Sequence, residues 1–255
     1  MNGEARPDLR DQPPPKAETE RLRKINDAYD SDPYYRRIWR PDSAASRFMA
    51  DRKWKLIEAV LRRERIDVRS AWILDLGVGT GMDGARFGGL NVRPERFIGL
   101  DMLEQYARTA RISHPWMNTL AGDAGRLPFP DGRFDLVYQS TMLSSVPEPA
   151  HRSTIFREVD RVLASGGAFL SYDTRYPNPW NPNTRPLRAA ELRRAFDGWI
   201  VKAWSATAIP QIQRALAEWS LTACRFLESV PFLRSHLLIL ARKIPGDEAS
   251  LLRAF

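Results

Sequence analysis

Four short segments of the chain carry residue types that could hold a nucleoside. The first is Asp75-Leu76-Gly77-Val78-Gly79-Thr80-Gly81. Closely spaced glycines let a backbone turn tightly and approach a ligand with no Cβ in the way. A dinucleotide fingerprint counted from Gly77 requires Gly or Ala where this chain has Met82, and the Lys-Ser/Thr pair of a phosphate-cradling loop is missing. The loop therefore suits a ligand lying against glycines, without a pyrophosphate at the following helix start. The second segment ends in Asp101, where a carboxylate can accept hydrogen bonds from both ribose hydroxyls of an adenosine. The third is Gly122-Asp123-Ala124, whose acid can accept from the adenine amino group while the neighbouring backbone reads the ring edge. The fourth runs from Leu127-Pro128-Phe129 through Phe134-Asp135 to Gln139-Ser140-Thr141, a turn feeding a strand that ends beside the same ligand.

These residues need strands to carry them. Trp72–Leu76, Phe97–Asp101, a weak 117–121, Phe134–Tyr138 and Ala168–Tyr172 are short apolar runs. Helical spacing separates them at Met82–Gly89, Met102–Ser113 and Ala150–Leu163. Alternation of this kind implies a parallel sheet with helices on both faces, and right-handed crossovers place the strand C-terminal ends along one edge. Two further strands are expected at 200–204 and 237–241, with a helix at 188–196 and an apolar helical stretch at 211–232. The expected fold is α/β: a Rossmann-like, doubly wound, mostly parallel seven-stranded sheet with N-terminal helices and a helical insert before the last strand. One helix is expected from Glu20 to about Asp30. A second, capped by Asp42 or Ser43, should run to about Arg65 with Phe48, Met49, Trp54, Ile57, Val60 and Leu61 on one face.

Bulk properties narrow the classes. The 255 residues are 43% hydrophobic, enough for one sizeable α/β domain. Residues 1–19, polar and proline-rich, are expected to be a disordered tail and not a signal peptide. Residues 20–255 then form a single domain: a helical cap (20–69), a ligand-binding core (70–173), and an acceptor loop, helical lid and last strands (174–255). The net charge of +8 is dispersed among acids, with no basic block, which argues against nucleic acid. The lone Cys224 excludes an internal disulfide and suits a reducing cytoplasm; with three scattered histidines it makes no metal site. Arg225, Glu228, Arg234 and His236 interrupt the apolar stretch 220–240 before it could span a bilayer.

Taken together, Ile73 to Gly81, Gly99-Leu100-Asp101, Gly122-Asp123-Ala124 and Leu127 to Asp135 resemble the class I S-adenosylmethionine-dependent methyltransferases. The branch most similar methylates small molecules, quinones and sugars. Glu158 to Gly167 resembles that group's helix and turn before the fifth strand, so the likeness covers 71–172. Val78 departs from the small residue usual between the first two glycines. The resemblance implies S-adenosylmethionine as cofactor, with Gly77, Gly79 and Gly81 against its methionine and ribose. Asp75 would orient the loop or hold the amino group. Asp101 with Met102 would take the ribose, Asp123 with Ala124 the adenine, and Gln139 and Ser140 would lie beside the methionine part.

Methyl transfer is an in-line displacement from an activated donor, so positioning and exclusion of water dominate. An aliphatic hydroxyl acceptor would also need a general base. Asp173, after the fifth strand, and His151, near a helix start, are the candidate catalytic residues; a cap or ion pair competes as a reading for each. His114 and His236 read as structural. The Pro/Asn-rich loop after Asp173 offers Arg175, Tyr176, Asn178, Trp180, Asn181 and Arg185 as acceptor-binding residues. Amides and aromatics suit a small-molecule or glycan acceptor, with oxygen as the leading methylated atom. Tyr34, Tyr35, Trp39 and Arg40 would join the N-terminal helices in covering the cofactor pocket. Residues 211–232 are open to reading as a lid, a helix docked on the N-terminal pair, a homodimer contact or a peripheral membrane contact, with lid or homodimer preferred to membrane. The alternatives are a methyltransferase acting on RNA or protein, a catalytically idle scaffold of the same fold, and a nicotinamide-dependent oxidoreductase disfavoured by Met82.

Overall fold

The computed structural model describes residues 16–33, 40, 42–177 and 183–245. Tyr34, Tyr35 and Trp39, and the loop residues Asn178, Trp180 and Asn181, lie outside the described residues, as do 1–15 and 246–255.

Two helices precede the sheet, α1 (Lys16–Ser31) and α2 (Ala44–Arg63). α1 begins at Lys16, inside the segment expected as a tail, directly after the three prolines, and Glu18 places negative charge in its first turn. Ser43 caps α2, its side chain accepting from the Ser46 N–H at 3.1 Å. Trp54, Ile57, Val60 and Leu61 form the buried face of α2. Each such burial contributes about 1.5–3 kcal/mol, which is how α2 is anchored to the sheet.

The rest alternates: β1 (Ile73–Leu76), α3 (Met82–Gly89), β2 (Phe97–Asp101), α4 (Glu104–Ser113), β3 (Asn118–Ala121), β4 (Phe134–Ser140), α5 (Pro149–Val162) and β5 (Leu163–Thr174). There follow α6 (Ala189–Ala195), β6 (Ile200–Ala208), α7 (Pro210–Ala217), α8 (Leu221–Ser229) and β7 (Arg234–Arg242). The seven strands stand in the order β3-β2-β1-β4-β5-β7-β6. β1 to β5 pair in parallel, while β7 runs antiparallel to both β5 and β6. In this register Asp75 lies between Gly99 and Tyr138, so the ends of β1, β2 and β4 share one edge.

Period-two alternation sorts the side chains onto two faces. Leu74, Leu76, Val137 and Phe169 pack with Ile155, Phe156, Val159 and Leu192 of α5 and α6. Ile73, Leu136, Tyr138 and Leu170 pack on the other face with α2 and Phe87 of α3.

The helix expected over 211–232 is instead two. α7 ends at Ala217, and Ser220, in extended conformation, caps α8 by accepting from the Ala223 N–H at 3.2 Å. Ala217 and Cys224 pack with Ala45 of α2, and Glu228 takes Arg52 at 2.5 Å and Gln213 at 3.0 Å. The insert therefore docks on α2 while Trp219, Phe226 and Phe232 stay exposed. Among the described residues no helix is long and apolar enough to cross a membrane.

Candidate functional site

The turn after β1 is built on left-handed glycines: φ is +74° at Gly77, +53° at Gly79 and +86° at Gly81. The N–H groups of Gly77 and Val78 both donate to the Leu100 carbonyl, at 2.7 and 3.0 Å. The Gly79 N–H donates to Asp101 Oδ2 at 2.9 Å, while Asp101 Oδ1 accepts from the Leu103 N–H at 2.9 Å. The three glycines do different things. A Cβ at Gly77 would come within 2.7 Å of Met142, and one at Gly81 within 2.7 Å of His114 on the far side. A Cβ at Gly79 would meet nothing and project into open space. The departure at Val78 is accommodated by Gly99 on β2, where a Cβ would strike the valine methyl at 2.7 Å.

A cavity of about 220 Å³ opens above this loop, lined by Gly77, Gly79, Asp101, Met102, Gly122, Asp123, Ala124 and Ser140, with Thr141, Met142, Val146 and His151 among the residues of its other walls. Glu18, Leu22 and Asn26 of α1, at i, i+4 and i+8, cover it from the N-terminal side, and Arg21 reaches across to donate to the Ser145 carbonyl at 2.7 Å. A wider groove of about 620 Å³ between α3, the turn at 91–94 and the segment after α4, lined by Asn91, Arg93, His114 and Trp116, contains none of the strand-end acids.

The acids differ in environment. Asp75 is 2% exposed, behind the loop, and its Oδ2 has no hydrogen-bond partner. Burial, then the negative charge of Asp83, push its carboxyl well above the usual range, opposed by Lys53. Burial also raises Asp101, against the pull of the two N–H donors. Asp123 Oδ1 accepts from the Gly125 N–H at 2.8 Å and pairs with His151 Nε2 at 2.9 Å. Burial alone would raise Asp123, but His151 and the Gly125 N–H hold it below its ordinary value. The same bond raises His151, against burial, with Glu18 of α1 adding to the rise and Arg21 opposing it.

Several expected site residues lie behind the cavity wall instead. Gln139 is fully buried: its Oε1 accepts from the N–H groups of Met142 and Leu143 at 2.9 and 3.3 Å, and its Nε2 donates to Asp173 at 3.3 Å. Asp173 is 1% exposed and also accepts from the N–H groups of Ser144 (3.0 Å) and Thr174 (2.7 Å). Gln139 and Asp173 together hold the 141–145 turn, which forms one wall and includes Thr141 at φ +58°. Burial raises Asp173, the Ser144 bonds opposing. Arg175 stacks over Tyr176 at 4.9 Å, and Arg185 donates to the Pro147 carbonyl at 3.1 Å; neither arginine lines the cavity.

Two features were not read from sequence. Asp83, in the first turn of α3, accepts from Lys53 at 2.6 Å on each oxygen, from Trp54 Nε1 at 2.8 Å and from Tyr138 Oη at 2.9 Å. Lys53 also donates to Ser140 at 3.2 Å. These donors overcome burial and lower Asp83. Arg152, on the inner face of α5, donates to the carbonyls of Val146 (2.7 Å), Leu143 (2.7 Å) and Arg185 (2.6 Å) and pairs with Glu191 at 3.1 Å. Its signal was available: it stands three and four residues before Ile155 and Phe156, in register with the apolar stripe. Among the described residues no three His, Cys, Asp or Glu side chains are grouped to hold a metal.

Residues 74–171 match a methyltransferase domain family. The demethylmenaquinone methyltransferase of Streptomyces avermitilis is 34% identical over 166 residues, 63% of this chain and 62% of that protein. The fatty-acid O-methyltransferase of Mycolicibacterium smegmatis is 36% identical over 112 residues, 43% of this chain and 39% of the relative. The chain thus spans less than two thirds of either relative. Among solved structures, an S-adenosylmethionine-dependent methyltransferase from Mesorhizobium loti superposes with a TM-score of 0.55 at 20% identity, covering 75% of this chain and 97% of its own. At that identity the likeness is one of fold.

Proposed function

We propose that the chain, which matches a methyltransferase domain family over 74–171 and resembles S-adenosylmethionine-dependent methyltransferases in fold, is a class I S-adenosylmethionine-dependent methyltransferase that methylates a small molecule at oxygen. The observation that carries the proposal is a single cavity walled by Gly77, Gly79, Asp101 and Asp123, from the ends of three neighbouring strands. The open space above Gly79, beside Asp101 and Asp123 on the same cavity wall, fits a ligand with a nucleoside body and an amino-acid tail. In this reading Gly77 and Gly79 let the backbone approach the tail, Asp101 takes the ribose hydroxyls and Asp123 the purine amino group. Asp75 stabilises the loop from behind. Bound there, S-adenosylmethionine supplies a methyl group already activated by the sulfonium charge.

The chain's own contribution is then orientation and exclusion of water. α1 closes the cavity with Leu22 and Asn26, and Gln139, Asp173 and Arg152 fix the 141–146 wall against which an acceptor would lie. Asp173 is committed to backbone N–H groups and His151 to Asp123, so in this reading neither is the general base; both position other groups. An acceptor oxygen that ionises readily, a carboxylate or phenol, needs no base, whereas a sugar hydroxyl would. That, with a relative named as a fatty-acid O-methyltransferase, supports a small molecule with an acidic oxygen over a glycan.

The test is transfer of labelled methyl from S-adenosylmethionine to panels of fatty acids, phenols, quinols and oligosaccharides. The proposal expects label on an acidic oxygen; label confined to oligosaccharide hydroxyls or to carbon would contradict it.

A further inference from the structure

Asp123 is held in an unusual way for an acid expected to read a base. Both of its described bonds, from the Gly125 N–H and with His151 Nε2, fall on Oδ1, while the residue itself lines the cavity. His151 comes from the first turn of α5, a separate element, and lines the same cavity. Its ring is seated against Gly125: a Cβ there would stand 3.0 Å from both His151 Cδ2 and Nε2, and 3.3 Å from Asp123 Oδ1. Gly125 has no left-handed φ to explain it; the space it leaves is filled by the imidazole.

We propose that His151 is a positioning residue for the purine end of the cofactor. By engaging Asp123 Oδ1 it fixes the plane of the carboxylate and leaves Oδ2 as a pure acceptor, which selects a 6-amino purine over a 6-oxo purine. Gly125 is part of the same device. This rests on the methyltransferase reading above, since it presumes that the cavity takes an adenosine. The physical logic is that a carboxylate pinned on one oxygen can meet an amino donor without reorganising. A 6-oxo group would bring acceptor against acceptor and leave a buried polar pair unsatisfied.

The experiment is calorimetric binding of S-adenosylhomocysteine, S-inosylhomocysteine and 5′-deoxy-5′-methylthioadenosine to the wild type, His151→Leu, His151→Gln and Gly125→Ala. Loss of one hydrogen bond to a charged group corresponds to about tenfold in affinity. Wild type is expected to prefer the adenosyl over the inosyl compound. His151→Leu should weaken both adenosine-containing ligands by about tenfold and the inosyl ligand less, so that the selectivity shrinks. Gly125→Ala should do the same while keeping the imidazole, because it displaces the ring. His151→Gln, which retains a donor, should restore most of the affinity. A selectivity ratio unchanged in both His151→Leu and Gly125→Ala would overturn the proposal, as would loss of S-adenosylhomocysteine binding with methylthioadenosine unaffected. Failure of the wild type to bind either adenosine compound would instead sink the methyltransferase reading, and this assignment with it.

Discussion

Lys53 of α2 and Asp83 of α3 meet at 2.6 Å through both carboxylate oxygens, directly below the turn that carries the glycines. The pair ties the helix before the sheet to the helix after the loop, and Lys53 extends the tie to Ser140 at the end of β4. The glycine loop is thus held from beneath by a largely buried ion pair, with Trp54 and Tyr138 satisfying the remaining capacity of Asp83.

Breaking such a pair on one side leaves an uncompensated charge, which costs about 3–5 kcal/mol when burial is complete. Here Lys53→Met should lose roughly 2–3 kcal/mol, since Trp54 and Tyr138 still donate to Asp83. The double variant Lys53→Met/Asp83→Leu should lose less than Lys53→Met alone. Urea unfolding of the single and double variants measures this directly; strict additivity would contradict the coupling.

Gly77 and Gly79 should respond oppositely to alanine. Gly77→Ala drives a Cβ into Met142 and should unfold at lower urea, with partial recovery when Met142→Ala is added. Gly79→Ala has room and should cost only the 1–2 kcal/mol or so of a left-handed alanine. Its methyl enters the cavity, however, so S-adenosylhomocysteine binding should fall at least about tenfold. Equal effects of the two substitutions on binding would contradict the assigned cavity.

Two histidines should shape stability against pH in opposite senses. His151 is raised by its bond to Asp123, so its contribution is complete below its unfolded value of about 6.5 and is lost as pH rises through the folded value. His236 stacks on Tyr172 and is lowered to about 4 by burial, with Lys53 adding to the effect. It therefore binds protons in the unfolded state between pH 6.5 and 4, and stability falls as pH drops through that window. The loss is on the order of 3 kcal/mol between pH 7 and pH 4. His236→Gln should flatten the acid limb of a stability–pH curve, and His151→Gln the limb above pH 6.5.

None of the α1 residues whose burial is described is fully buried, yet the helix roofs the cavity and is fastened to Ser145 by Arg21. Arg21→Ala should leave the unfolding midpoint nearly unchanged and raise the dissociation rate of S-adenosylhomocysteine several-fold. An unchanged rate by stopped flow would show that the roof does not control release.

Much of this architecture was legible in the residues. Glycines with no pyrophosphate signature, acids at successive strand ends and period-two runs gave the sheet edge and most of the cavity wall. Gln139 and Asp173 turn away from the cavity, as alternation extended one residue further places Gln139 with Val137, and Asp173 with Phe169, on the face toward α5. The break between α7 and α8 was hidden because the stretch is apolar on several sides, which blurs a helical stripe. The pairs Lys53–Asp83 and Asp123–His151 join residues 30 and 28 positions apart and exist only once the helices are docked. No local pattern announces them.

The measurement closest to the central claim is calorimetric titration of the protein with S-adenosylmethionine and S-adenosylhomocysteine, with NADH as control, repeated on Asp101→Ala. Asp101 is the acid shared by the glycine loop, through the Gly79 N–H, and the cavity wall. The account predicts micromolar binding of both sulfur compounds, at least about tenfold weaker in the variant, and none of NADH. NADH binding, or failure of the wild type to bind either sulfur compound, would contradict it.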